Sequence, residues 1–143
     1  MLHKNISLVK KALIVEDNSL NLKLFHDLLI ARNYEVITSK DGIGITNIVL
    51  KELPNVILMD IQLNGLSGID LIKELKSNVA TNHIPIIAIT AFAMKHDEAT
   101  ISDSGCDLYL SKPVSIDRFY KAIDQFINIT PVNNNDSNST SSR

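Results

Sequence analysis

The chain has 143 residues, of which 45% are hydrophobic and 21% are charged, a balance that predicts one globular domain with a hydrophobic core. Its formal net charge of −2 gives no electrostatic basis for binding nucleic acid or an anionic membrane, so we expect neither as a partner. The single cysteine, Cys106, excludes an internal disulfide, and the first residues lack a signal peptide, so we expect a cytoplasmic protein.

Five segments predict β-strands, and three of them are apolar up to their ends. Short apolar runs are typical of strands buried on both faces of a sheet, whereas mixed runs are typical of edge strands. In chain order the predicted strands are residues 12–15, 34–39, 56–60, 84–89 and 106–110, of which the second and the last are mixed.

Five further segments alternate with these strands and predict helices. Gly44 weakens the second, because glycine is a poor helix former, and Gly105 ends the fourth. The predicted helices lie within residues 19–33, 42–51, 67–77, 94–104 and 115–128. In the first helix the apolar residues at helical spacing are Leu20, Leu24, Phe25, Leu28 and Leu29.

This alternation of strand and helix predicts an α/β fold in which helices cover both faces of a parallel sheet. With the apolar strands in the centre and the mixed strands at the edges, the order is 2-1-3-4-5, a doubly wound and flavodoxin-like arrangement. We expect an N-terminal extension over residues 1–10, the domain over residues 11–129, and a disordered tail rich in Asn and Ser over residues 130–143.

Polar residues stand where the predicted strands end. Glu16 and Asp17 follow the first strand, Asp60 ends the third, Thr90 follows the fourth, and Lys112 follows the fifth. Because the carboxyl ends of parallel strands meet at one edge of the sheet, we expect these side chains to converge there. Each residue alone is ordinary as a cap, a turn or a surface residue, but the whole set in one place predicts a chemical site.

The residue types of this set suit a metal and a phosphoryl group. Three carboxylates repel one another strongly unless a cation lies among them, and oxygen ligands with room for water suit Mg²⁺. A carboxylate beside Mg²⁺ can attack a phosphoryl group and form an aspartyl phosphate. A lysine and a threonine hydroxyl can then stabilise the phosphoryl oxygens.

The chain resembles the receiver domains of two-component response regulators. The resemblance covers residues 11–129, and its motifs have a highly specific spacing. The residues that follow Thr90, together with Gly105, Cys106 and Tyr109, are most similar to single-domain receivers that control cell division. The segments that carry the family resemblance are residues 14–18 (IVEDN), 58–63 (LMDIQL), 88–91 (AITA) and 111–113 (SKP).

The resemblance implies that Asp60 accepts a phosphoryl group from a histidine of a sensor kinase or of a histidine phosphotransferase. Thr90 and Lys112 would contact that group, and Asp60 would also lose it in a self-catalysed reaction. The protein would therefore be a phosphorylated signalling protein of a phosphorelay and not a turnover enzyme. In this family the peptide bond between Lys112 and Pro113 is cis, which is accessible to a bond that precedes proline.

The resemblance also implies a Mg²⁺ site and shows one departure from the family pattern. Glu16, Asp17, Asp60 and the backbone carbonyl of Gln62 would hold the ion. The family usually has proline at position 64, where this chain has Asn64. We expect the loop after Asp60 to be less rigid for that reason.

In such a receiver the signal is read at the protein's own surface. If the Thr90 hydroxyl moves to the phosphoryl group, Tyr109 can fill the space that it leaves. We expect no DNA-binding output, a monomeric state, and a partner that is another regulatory protein or the kinase itself. The residues of this switch and partner face are Thr90, Ala93, Met94, Lys95, Tyr109 and Val114.

Two other functions fit part of the pattern. A phosphatase of the haloacid dehalogenase type also uses an Asp nucleophile with Mg²⁺, but it carries a second Asp two residues on, where this chain has Gln62. A receiver-like interaction module without phosphorylation is the other alternative, and the presence of Asp60, Thr90 and Lys112 argues against it. Labelling by a small phosphodonor distinguishes this alternative from the phosphoacceptor.

Overall fold

The structure, a computed structural model, describes residues 9–91 and 95–127. Strands and helices alternate from the first element to the last, as the sequence predicts. The strands are β1 Lys10–Val15, β2 Tyr34–Ser39, β3 Val56–Asp60, β4 Ile86–Thr90 and β5 Leu108–Ser111, and the helices are α1 Ser19–Ile30, α2 Ile45–Glu52, α3 Gly68–Lys76, α4 Lys95–Asp103 and α5 Ile116–Ile127.

The five strands form one parallel sheet in the order β2-β1-β3-β4-β5. This confirms the predicted fold, with the apolar strands in the centre and the mixed strands at the edges. From β1 the chain adds β2 on one side and β3, β4 and β5 on the other, so the strand order changes direction between β1 and β3. At this point Val15 pairs with Met59. The residues that follow this pair, Glu16 and Asp60, therefore lie side by side at the carboxyl edge.

Different helices cover the two faces of the sheet. One layer contains α1 and α5, whose Phe25 and Phe119 rings stack with their centroids 5.5 Å apart. The other layer contains α2, α3 and α4. Because successive residues of a strand point to opposite faces, Ile14 of β1 packs in the first layer and Val15 in the second.

The apolar pattern of α1 is broader than its buried face. Phe25 and Leu29 are buried, but Leu20 is 80% exposed and Leu24 is 40% exposed. Leu20 lies in the first turn of α1. Helical spacing alone therefore places too many leucines in the core.

Three elements begin later in the structure than the sequence suggests. α2 begins at Ile45 and not at residue 42, because Gly42 and Gly44 have φ angles of +74° and +71°, which a helix does not allow. β4 begins at Ile86 because Pro85, which has no N–H for a sheet hydrogen bond, precedes it. β5 begins at Leu108, and the half-buried Cys106 precedes it.

Parts of several predictions lie outside the described residues. Ala93 and Met94 of the predicted partner face are among them, and so are residues 130–143 of the predicted tail and most of the predicted N-terminal extension. Within residues 9–91 and 95–127, no helix has the length and apolar character that crossing a membrane requires.

Candidate functional site

The ends of four strands bring the predicted site residues together at the carboxyl edge of the sheet. Asp60 and Thr90 are the last residues of β3 and β4, Glu16 follows β1, and Lys112 follows β5. Glu16, Asp60 and Thr90 are at most 2% exposed. Acidic groups are rarely fully buried, so Glu16 and Asp60 mark this edge of the sheet as a candidate site.

Three carboxylates form a compact cluster at this edge. Glu16, Asp17 and Asp60 each offer one oxygen, and these three oxygens all lie within 4.8 Å of one another. Glu16 and Asp60 are buried, whereas Asp17 is half-buried at the mouth of the cluster. Such a set of oxygens can hold a divalent cation that prefers oxygen ligands.

Lys112 supplies the positive charge nearest to these carboxylates in the part of the chain that the structure describes. Its Nζ lies 3.2 Å from Asp60 Oδ2 and 3.6 Å from Glu16 Oε1. Its backbone N–H donates to the carbonyl of Thr90 at 2.7 Å, which holds the β5 end against β4. The peptide bond between Lys112 and Pro113 is cis, as the family resemblance implies.

One lysine does not balance three carboxylates, and Glu16 shows the imbalance. The pKa of the Glu16 carboxyl is raised to about 7, first by burial and then by the adjacent Asp60 carboxyl, while the N–H of Asn18 and the Lys112 ammonium lower it by less. No donor among the described residues forms a hydrogen bond with the buried Glu16 Oε1. A buried carboxylate oxygen without a hydrogen bond is the group that a bound cation would satisfy.

Gln62 has a side-chain role that sequence reasoning did not identify. Its Nε2 donates to the Thr90 hydroxyl oxygen at 3.2 Å, and its Oε1 accepts from the backbone N–H of Ala91 at 3.0 Å. Its own backbone N–H donates to Asp60 Oδ1 at 2.9 Å. Gln62 therefore connects the β3 and β4 ends, and no sequence signal marks this role because an amide two residues after an Asp is ordinary in a loop.

Asn64, where the family resemblance implies proline, also contacts the cluster. Its backbone N–H donates to Asp17 Oδ2 at 2.8 Å, although the two residues are 47 positions apart. The contact comes from the main chain and not from the amide side chain. The loop between β3 and α3 is thereby joined to the loop that follows β1.

The start of α3 is packed directly against the end of β3. The N–H of Gly68 donates to the carbonyl of Ile61 at 3.2 Å. A Cβ at Gly68 would lie 2.2 Å from the carbonyl oxygen of Asp60 and 2.7 Å from Ile61 Cα. The main chain that carries Asp60 therefore leaves no room for a side chain at position 68.

The predicted switch residues lie on neighbouring strands. Tyr109 of β5 pairs with Ala88 of β4, two residues before Thr90, and it packs against the layer of α2, α3 and α4. Burial raises the pKa of the Tyr109 hydroxyl, and the Glu98 carboxyl on α4, to which it is hydrogen-bonded, raises it further. Val114 packs against the other layer, Lys95 is the first residue of α4, and Ala93 and Met94 lie outside the described residues.

Comparisons with known proteins agree with this geometry. Residues 12–124 match the response regulator receiver domain family. The polar-differentiation response regulator DivK of Brucella ovis is 46% identical over 120 residues, which are 84% of this chain and 98% of that protein. The DivK protein of Brucella anthropi is 47% identical over 118 residues, which are 82% of this chain and 96% of that protein.

Solved structures show the same architecture. The receiver domain of the sensor histidine kinase PA1611 from Pseudomonas aeruginosa superimposes with a TM-score of 0.77 at 28% identity, covering 84% of this chain and 98% of that domain. That structure contains a magnesium ion coordinated in its active site cleft. The chemotaxis protein CheY4 of Vibrio cholerae shares the fold, with a TM-score of 0.77 at 21% identity over 83% of this chain and 99% of that protein.

This chain belongs to the response regulator receiver domain family of two-component signalling systems. It is a signalling protein that is similar to the DivK response regulators over most of its length.

Proposed function

We propose that this receiver accepts a phosphoryl group on Asp60 from a phosphorylated histidine of a sensor kinase or of a histidine phosphotransferase. The observation that carries the proposal is the position of Asp60. It is a buried carboxylate at the end of the central strand β3, it lies 3.2 Å from Lys112 Nζ, and two further carboxylates surround it.

In this transfer a lone pair on an Asp60 carboxylate oxygen attacks phosphorus. The bond between phosphorus and the donor imidazole breaks, and the bonding pair stays on the nitrogen, which takes up a proton. The Lys112 ammonium, which already lies beside Asp60, stabilises the negative charge of the phosphoryl oxygens. The Thr90 hydroxyl, at the end of the neighbouring strand, donates to one of these oxygens.

The cluster of carboxylates is the proposed site of Mg²⁺. Glu16, Asp17, Asp60 and the backbone carbonyl of Gln62 would hold the ion, and the buried Glu16 oxygen without a hydrogen bond fits this role. When bound, Mg²⁺ neutralises charge on the phosphoryl oxygens and on the carboxylates around them. The related PA1611 receiver, which binds magnesium in its active site cleft, supports the same assignment.

Phosphorylation would be read through the β4 and β5 ends. When the Thr90 hydroxyl turns to the phosphoryl group, it gives up its contact with the Gln62 amide. Tyr109, which is bonded to Glu98 of α4, can then change its position and alter the surface of α4 and β5. We propose that the partner face then binds a kinase or another regulatory protein more tightly. Besides Thr90 and Tyr109, the proposed face contains Ala93, Met94, Lys95 and Val114.

The similarity to DivK suggests the process that this signal controls. Those relatives are polar-differentiation response regulators, and they match this chain over at least 96% of their own length. We therefore propose a role in cell-division and cell-cycle control, carried out by a monomer in the cytoplasm. The partners are proteins, and the net charge of −2 argues against duplex DNA as a partner.

The direct test is phosphorylation by acetyl phosphate in the presence of Mg²⁺, followed by intact-mass measurement. Wild-type protein should gain one phosphoryl group, which is stable in acid and labile in base. Asp60→Asn should gain none, whereas Asp107→Asn, which changes a carboxyl at the opposite edge of the sheet, should be labelled fully. Full labelling of Asp60→Asn would refute the assignment of the acceptor.

A second test concerns the reading of the signal. Affinity for a candidate histidine kinase should change by about 5- to 150-fold when a phosphoryl mimic such as beryllofluoride is added. Tyr109→Ala should lose most of that change in affinity. Tyr120→Ala, which removes an aromatic ring from α5 and not from the switch, should keep it. A full response in Tyr109→Ala would exclude this route.

A further inference from the structure

We infer that the backbone N–H of Asn64 orients the Asp17 carboxylate for Mg²⁺ and is therefore a positioning group of the metal site. The inference rests on the proposed phosphoacceptor function, because that function gives the carboxylates an ion to bind. The observation is the hydrogen bond of 2.8 Å from Asn64 N to Asp17 Oδ2.

Asp17 is the carboxylate for which such a contact matters most. Glu16 and Asp60 are 1% and 2% exposed, so the packed core fixes their side chains. Asp17 is half-buried, and it lies in the loop between β1 and the Asn18 cap of α1. A side chain at the mouth of a site has more rotational freedom, so a donor that holds one of its oxygens reduces the entropy lost when the ion binds.

The donor exists because of the residue type at position 64. Every residue except proline has a backbone N–H, so this donor requires a residue other than proline at position 64. The hydrogen bond attaches the loop between β3 and α3 directly to Asp17. One carboxylate oxygen of Asp17 lies within 4.8 Å of oxygens of Glu16 and Asp60.

Orientation should matter more for Mg²⁺ than for Ca²⁺. Mg²⁺ requires nearly ideal octahedral geometry at about 2.0–2.1 Å, whereas Ca²⁺ accepts 6–8 ligands in flexible arrangements. Loss of a group that orients a ligand residue typically costs about 10- to 100-fold in metal affinity. Loss of the Asn64 N–H should therefore weaken Mg²⁺ binding more than Ca²⁺ binding.

The experiment compares two substitutions at one position by calorimetric titration of the full chain with Mg²⁺ and, separately, with Ca²⁺. Asn64→Pro removes the N–H, and Asn64→Ala removes only the side-chain amide. We expect Asn64→Pro to weaken Mg²⁺ binding about tenfold, with a smaller loss for Ca²⁺, and Asn64→Ala to stay within about twofold of wild type. Melting curves without metal show whether Asn64→Pro remains folded, and Asn64→Gly, which loosens the loop but keeps the N–H, should bind Mg²⁺ like Asn64→Ala.

Three results would overturn the inference. Unchanged or tighter Mg²⁺ binding by Asn64→Pro would show that the N–H does not prepare Asp17 for the ion. Equal losses in Asn64→Pro and Asn64→Gly would assign the effect to loop rigidity, and equal losses for both ions would show that the effect does not depend on ligand orientation. If wild-type protein bound no Mg²⁺ at all, the metal site of the proposed function would itself be refuted, which the first three results leave intact.

Discussion

Two clusters of lysine and carboxylate lie at opposite edges of the same sheet. At the carboxyl edge Lys112 contacts Asp60 and Glu16 at 3.2 and 3.6 Å. At the amino edge Lys76 contacts Asp107 at 2.8 Å. Both lysines are mostly buried, with 21% and 15% of their side chains exposed.

The two clusters differ in how well their charges are satisfied. Lys76 Nζ also donates to the carbonyls of Asn82 and Ile84 at 3.1 and 2.9 Å, and Asp107 accepts the N–H of Ile86 at 2.8 Å. The Lys76 cluster therefore pairs one lysine with one carboxylate, its Nζ has three acceptors, and it connects α3 to the starts of β4 and β5. At the Lys112 cluster the carboxylates outnumber the lysine, so the fold retains an excess of negative charge where the phosphoryl chemistry is proposed.

The difference shows how a structural ion pair and a functional site can be distinguished without reference to a family. Buried charges that serve stability are paired and hydrogen-bonded, whereas an excess of like charge persists where a ligand restores the balance. Four predictions follow from this contrast, and they differ in the size of the expected effect.

The largest effect should come from Mg²⁺ itself. At a concentration of a hundred times its Kd, the ion should raise the free energy of unfolding by about 2.7 kcal/mol, because it binds the folded chain only. Asp17→Asn should reduce this gain, and Asp107→Asn should keep it in full. Urea unfolding at fixed Mg²⁺ measures all three proteins, and equal gains in Asp17→Asn and wild type would place the ion elsewhere.

Without metal, the free energy of unfolding should depend on pH because of Glu16 at the carboxyl edge of the sheet. The pKa of Glu16 is about 7 in the folded chain and 4.5 ordinarily, so between these values the folded chain keeps a proton that the unfolded chain has lost. Stability must then fall as pH rises from about 4.5 to about 7, by on the order of 2 kcal/mol. In Glu16→Gln the free energy of unfolding should not fall in this way. Denaturant unfolding of both proteins between about pH 4.5 and 7 tests this, and an equal fall in wild type and Glu16→Gln would refute the prediction.

Removing one charge should have opposite effects at the two clusters. Without metal, Asp60→Asn should raise the free energy of unfolding by about 1 kcal/mol, since it relieves repulsion with Glu16 and Asp17. Asp107→Asn should lower it by a similar amount, because Lys76 loses its counter-charge. Both substitutions replace a carboxylate by an amide of the same size. If denaturant unfolding showed that both raise or both lower the free energy of unfolding, the contrast between the two edges would be contradicted.

The sequence predicts the carboxyl edge better than the amino edge, and the reason is geometric. Each predicted strand ends next to a polar residue, and parallel pairing then brings Glu16, Asp60, Thr90 and Lys112 together without further information. Lys76 lies near the end of a helix and Asp107 before a short strand, so only the packed fold shows that they meet.

Contacts between loops escape sequence reasoning for a related reason. The Gln62 amide reaches Thr90 and Ala91 over 28 and 29 positions, and no periodicity encodes that distance. Leu20 is exposed although it lies at helical spacing, because that spacing gives the direction of a side chain but not whether another element covers it. Local patterns therefore determine the elements and the edge at which they meet, and tertiary packing determines the bonds between the loops.

The smallest expected effect concerns Gln62, whose side chain is exposed, whereas that of Lys76 is mostly buried. Gln62→Ala should lower the free energy of unfolding by only about 0.5 kcal/mol, because water can replace the lost amide. The same change frees the N–H of Ala91 beside the Thr90 hydroxyl, so the affinity for beryllofluoride with Mg²⁺ should rise by about two- to threefold, which is about 0.5 kcal/mol. Gln125→Ala, on the exposed surface of α5, should change neither quantity. Weaker binding of the mimic by Gln62→Ala would mean that the amide is itself a ligand of the phosphoryl group and not a group that phosphorylation displaces.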